Sequence, residues 1–161
     1  MHDGGENEIL ARVDAAPGRR AIGIAALLCL GAMLLYIAVS RPPEPGWQLF
    51  LVATGAGALW MGEKMRRSTR EGLELTAEEL RDSAGIRLAR VQDMLGVDRS
   101  FLAFKPSNGF LLRVSTSEGR AWRPGLWWRM GRRIGVGGLA SARETRAMAE
   151  IIAALIARRN D

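Results

Sequence analysis

Residues 21–40 read Ala21-Ile-Gly-Ile-Ala-Ala-Leu-Leu-Cys-Leu-Gly-Ala-Met-Leu-Leu-Tyr-Ile-Ala-Val-Ser40 and contain no Asp, Glu, Lys or Arg. A helix rising about 1.5 Å per residue carries such a run across about 30 Å, the thickness of a bilayer's hydrocarbon core. A cleavable signal peptide fits less well, because its apolar region spans only about 7–15 residues. Bulky Tyr36, Ile37 and Val39 also stand before Arg41, where a cleavage site needs small residues.

Arg41-Pro-Pro-Glu-Pro-Gly46 follows, and then a second uncharged run, Trp47 to Gly62. Proline ends the first helix and Pro-Gly permits a reversal. The second run is short for a span. Extension through Glu63 and Lys64, with the lysine stem snorkelling to the headgroups, completes it. Trp47 and Trp60 lie near its ends, where amphipathic rings favour the membrane interface. The pattern predicts an antiparallel transmembrane hairpin over residues 21–64, with spans at about 21–40 and 47–64. Residues 1–20 are expected to be a mobile cytoplasmic tail, with a short amphipathic turn at Ile9, Leu10 and Val13. Ala53, Gly57, Ala58 and Gly62 are the expected packing residues of the second span, since small side chains let helices approach closely in lipid.

Arg12, Arg19 and Arg20 precede the hairpin, Lys64, Arg66, Arg67 and Arg70 follow it, and only Arg41 lies between. The positive-inside rule then puts both termini in the cytoplasm, as in a multi-pass protein of a bacterial inner membrane. The 161 residues carry a net charge of +6, with one histidine, His2, and one cysteine, Cys29. That composition excludes a histidine general base in a folded site, a His/Cys zinc site and an intramolecular disulfide.

Residues 71–161 suffice for one small cytoplasmic domain. Ser141-Ala-Arg-Glu144 has the form of a capping box, and Met148, Ile151, Ile152, Leu155 and Ile156 repeat at helical spacing. The preceding residues read as antiparallel strands. Leu73–Thr76 alternates, Leu80–Asp82 follows, and Ser83–Gly85 turns. Phe101–Lys105 and Phe110–Ser115 flank Asn108-Gly109, a hairpin signal. Further strands surround Pro124-Gly125, and Arg87–Leu95 is expected as a short helical turn leading into a strand.

Gly72-Leu-Glu-Leu-Thr-Ala-Glu-Glu-Leu-Arg-Asp-Ser83, the stretch 87–97 and the closing helix 142–158, placed after a helical hairpin, resemble small bacterial membrane proteins that carry a pleckstrin-homology-like domain. The resemblance covers residues 21–158; the Trp/Arg/Gly-rich segment 120–138 departs from it. It implies an α+β chain: a two-helix transmembrane hairpin, then a small antiparallel β-sheet or PH-like barrel closed by a C-terminal helix. It further implies a non-enzymatic interaction module.

Gly135-Val-Gly-Gly-Leu-Ala140 fits a dinucleotide fingerprint in letters only, because no strand and acidic residue follow at the required distance. Glu78, Glu79, Asp93 and Asp98 read as a solvated, salt-bridged face. The informative segment is 105–133. Lys105, Arg113, Arg120, Arg123, Arg129, Arg132 and Arg133 face Glu118 alone, and Trp122, Trp127 and Trp128 lie among them. These ten basic and aromatic residues are the expected contact surface, for anionic lipid or for a protein partner. The alternative is that the tryptophans are core and the arginines only solubilise. The expected role is an accessory subunit, assembly factor or scaffold of a larger inner-membrane complex. Docking on or sensing anionic lipid is the alternative. No cofactor, metal, nucleic acid or small-molecule substrate is expected.

Overall fold

A computed structural model gives the fold and describes residues 8–99 and 106–160. The strand expected at Phe101–Lys105 lies outside the described residues. The chain divides into two compact units, Pro17–Arg67 and the remainder.

The first unit is two helices, α1 (Pro17–Ser40) and α2 (Pro45–Ser68). Each opens on a proline, whose fixed φ suits the first helical position and whose missing N–H is not needed there. The helices pack antiparallel through glycine. A Cβ on Gly31 would lie 2.8 Å from the Gly55 carbonyl oxygen, and one on Gly62 would lie 3.1 Å from Leu28. Gln48 Nε2 donates to the Ala38 carbonyl at 3.2 Å. The packing face therefore differs from the expected one. Gly62 lies in it and Ala58 is half-buried, but Ala53 is exposed and Gly57 has open space around it. The reason is rotational: two residues turn about 200° around a helix, so Gly57 points away from the face that Gly55 defines.

Among the described residues, α1 is the one helix long and apolar enough to cross a membrane, with a mean hydropathy of 2.6. The second expected span does not reach that apolarity, because α2 dilutes its hydrophobic residues with Gln48, Thr54 and glycines and carries charge from Glu63 onward.

The second unit is α+β: two antiparallel sheets and one helix. The first sheet has the order β1-β2-β3-β4, from β1 (Ala11–Val13), β2 (Leu73–Leu75), β3 (Glu79–Asp82) and β4 (Arg87–Arg90). A 3₁₀ turn, Val91–Asp93, leads into the second sheet. That sheet has the order β5-β6-β9-β8-β7, from β5 (Met94–Asp98), β6 (Phe110–Val114), β7 (Ala121–Arg123), β8 (Trp127–Met130) and β9 (Arg133–Val136). Helix α3 (Ala142–Asn160) ends the chain.

Three expectations change here. Residues 11–13 are a paired strand rather than tail: Ala11, Arg12 and Val13 face Leu75, Glu74 and Leu73. Val13 is fully buried, and that burial fixes the strand. Residues 87–90 are extended, and only 91–93 turn. The capping box does not close on itself. Glu144 instead accepts the Asp14 backbone N–H at 2.9 Å, so α3's first turn fastens the chain just after β1.

Neither sheet closes into a barrel. At β4, the Arg87 and Leu88 carbonyls accept from Arg129 Nη1 at 3.0 and 3.3 Å, so a guanidinium meets that backbone in place of another strand. The core gathers Leu73, Leu75, Leu80, Phe110, Leu112 and Trp127 from the sheets with Met148 and Ile152 of α3, all almost fully buried. Arg159 holds the far end of α3, donating to Val91, Gln92 and Met94 carbonyls at 3.1, 2.6 and 2.9 Å.

Candidate contact face

Strand alternation sorts the arginines and tryptophans of 105–133 into two sets. Arg123, Trp127, Val136 and Phe110 are register partners across β7, β8, β9 and β6, and so are Ala121, Arg129, Ile134 and Leu112. Trp127, Val136, Phe110, Ile134 and Leu112 are buried, so these rows face the core. Trp122, Trp128, Gly135, Leu111 and Asp98 form the row between them, with Leu111 buried, and Met130, Arg133, Arg113 and Gly96 form the next outward row.

The inward set is structural. Trp127 is a core side chain whose Nε1 is buried without a hydrogen-bond partner among the described residues. Arg123 Nη2 lies 3.0 Å from Glu71 Oε2 and 3.2 Å from Asp82 Oδ2. Asp82 is almost fully buried and also accepts the Ile86 backbone N–H at 2.8 Å. Arg129 is the more constrained arginine. Its Nε donates to the Gly119 carbonyl at 2.9 Å, and its Nη1 reaches Glu118 at 2.8 Å besides the two β4 carbonyls. Both arginines thus tie the second sheet to the first. The bonding between the sheets was not legible in the sequence, because Glu71, Asp82, Arg87 and Leu88 stand more than 40 residues from the arginines they meet.

The outward set makes the face. Trp128 lies across Gly135, where any Cβ would collide with the indole. Trp122 is its directly opposed partner on β7 and is half exposed. An open groove of about 980 Å³ runs beside them, lined by Trp122, Trp128, Met130, Arg120, Arg133 and Gly138. Arg113, Arg120, Arg132 and Arg133 are all exposed. Among the described residues none of the four has an acidic partner. Lys105 lies outside the described residues. Leu95 joins the face from β5 and is 58 % exposed, although it did not figure among the expected contacts. Its only sequence signal was alternation with buried Met94.

The glycine run is conformational. Gly137 and Gly138 have φ of +146° and +89°. A Cβ on Gly137 would lie 2.8 Å from the Gly109 Cα, so the two turns meet backbone to backbone. Asn108 supplies the positive φ expected of the Asn-Gly pair, at +57°. Among the described residues no group of three or more His, Cys, Asp or Glu side chains gathers as a metal site. Comparison of the chain with protein-family models, with curated proteins and with solved structures returns no match.

Proposed function

We propose that this is a non-enzymatic integral membrane protein of the bacterial inner membrane, an accessory subunit, assembly factor or scaffold whose PH-like cytoplasmic domain binds other membrane proteins. One observation carries the membrane part. Strand β1 precedes α1, strand β2 follows α2, and the two are hydrogen-bonded neighbours in one sheet. The helical pair is thus the connection of a β-hairpin. Both ends of that connection must lie on one side of a bilayer, so the chain crosses an even number of times. If α1 spans, α2 returns, despite its weaker apolarity. Large side chains exposed on both helices, such as Ile22, Tyr36 and Val39 on α1 and Leu49, Phe50 and Trp60 on α2, support a lipid surrounding. So does Lys64 Nζ, 4.8 Å from the centroid of the Trp60 ring, a pairing suited to the interface.

The interaction role is supported by the outward face, where half-exposed tryptophan and unpaired arginine stand together as they do in binding hot spots. Affinity purification of the tagged full chain in mild detergent tests the reading. A membrane protein recovered in fixed ratio is the expected result, and recovery of the chain alone refutes the accessory role. A second reading, docking on anionic lipid, is favoured by the excess of arginine on that same face.

A further inference from the structure

Gly96, Arg113, Arg133 and Met130 stand in register across β5, β6, β9 and β8. Two arginines are therefore direct cross-strand neighbours, an arrangement that like-charge repulsion disfavours. Arg132 adds a third cation at the β8–β9 turn, where Gly131 takes φ +58°. The Arg113 guanidinium lies over Gly96, 3.7 Å from where a Cβ would be. Leu95 and Met130 flank the arginines, 58 and 55 % exposed, and Trp122 stands at the β7 edge, 50 % exposed. Among the described residues these are the three most exposed large hydrophobic side chains of the sheet unit. Among the described residues no acid answers Arg113, Arg132 or Arg133.

We propose that this band docks the domain on the anionic surface of the bilayer that the chain itself enters, with Leu95, Met130 and Trp122 at the headgroup boundary and the arginines on lipid phosphates. The occupant follows from charge and layout. An exposed arginine row with no acidic partner among the described residues attracts an anionic surface. The apolar side chains are spread across the sheet, with Met130 and Trp122 along the groove beside β8 and β7 and Leu95 outside it on β5. A bilayer offers both chemistries at once and over the whole width of the band. The proposal rests on the reading of the chain as membrane-anchored. It assigns the Arg113–Arg133 row and its flanking apolar side chains to lipid, and leaves the groove beside Trp128, Arg120 and Gly138 on the same face for a protein.

The test uses the full chain with Cys29→Ser and Met130→Cys, labelled with an environment-sensitive fluorophore. The probes are nanodiscs of phosphatidylcholine and of mixed phosphatidylcholine and phosphatidylglycerol, each with a trace of spin-labelled quencher lipid. The expected result is severalfold stronger quenching in the anionic discs. It should fall to the zwitterionic level in about 0.5 M salt and with Arg132→Glu plus Arg133→Glu. A label at Leu95→Cys repeats the measurement should the first variant fold poorly. Equal quenching in both disc types overturns the proposal. So does a label shielded by a co-purified protein regardless of lipid charge, which gives the band to a protein. Intact lipid-dependent quenching with no co-purifying protein refutes the accessory role alone.

Discussion

Arg129 and Arg132 stand three positions apart and share a charge, yet they do different work. Arg129 is on the inward row, its side chain 11 % exposed, bonded to Glu118 and to three backbone carbonyls. Its removal leaves those carbonyls short of a donor in a partly buried place. Arg129→Ala is therefore expected to destabilise the fold by about 2 kcal/mol, within the range for hydrogen bonds from a charged donor. Arg132→Glu together with Arg133→Glu is expected to change stability by no more than about 0.5 kcal/mol per site, because both side chains are solvated. Denaturant unfolding of the three proteins in detergent, followed by circular dichroism, checks the contrast. Equal loss in both variants would mean that the two rows are not distinct.

At the scale of elements, α3 shows how one apolar stripe fastens a sheet unit. Met148, Ile152 and Ile156 recur at four-residue spacing and are buried, while Glu150 points outward and meets Arg99 at 3.2 Å in an exposed pair. Ile152→Asp would put a carboxylate among apolar atoms with no partner, and a loss of about 3 kcal/mol or more is expected. Glu150→Gln removes half of a solvated ion pair and is expected to change stability by less than about 0.5 kcal/mol. Thermal unfolding of the two variants distinguishes these outcomes, and equal melting temperatures would refute the packing. The periodicity of this helix was readable in the chain because every contact it needs lies on one face. The strand β1 was not readable. Three residues, Ala11, Arg12 and Val13, carry too little pattern to mark a strand, and their partner β2 lies 60 residues on, beyond two helices.

At the scale of the whole molecule, the pairing of β1 with β2 limits the proposed membrane topology to an even number of crossings. A reporter placed before β1 and one placed after Asp161 are expected to report the same, cytoplasmic compartment. Alkaline phosphatase, active only outside, should be silent at both positions and active in the loop near Glu44. Activity after Asp161 would overturn the cytoplasmic assignment, and opposite results at the two ends would contradict the strand pairing itself.

The sequence by itself determined the helical pair with its proline break, the α+β order, the strand that follows Asn108, the strands around Pro124, and the closing helix. Each depends on spacing along a few neighbouring residues, which backbone geometry converts directly into faces. Only the tertiary structure decided that Arg123, Arg129 and Trp127 turn inward while Arg113, Arg132, Arg133, Trp122 and Trp128 turn outward. It also decided that α2 packs through Gly55 in preference to Gly57, and that Glu144 holds Asp14. Those outcomes hang on register between distant strands and on helix rotation. A shift of one residue reverses either, and no composition or local spacing encodes it.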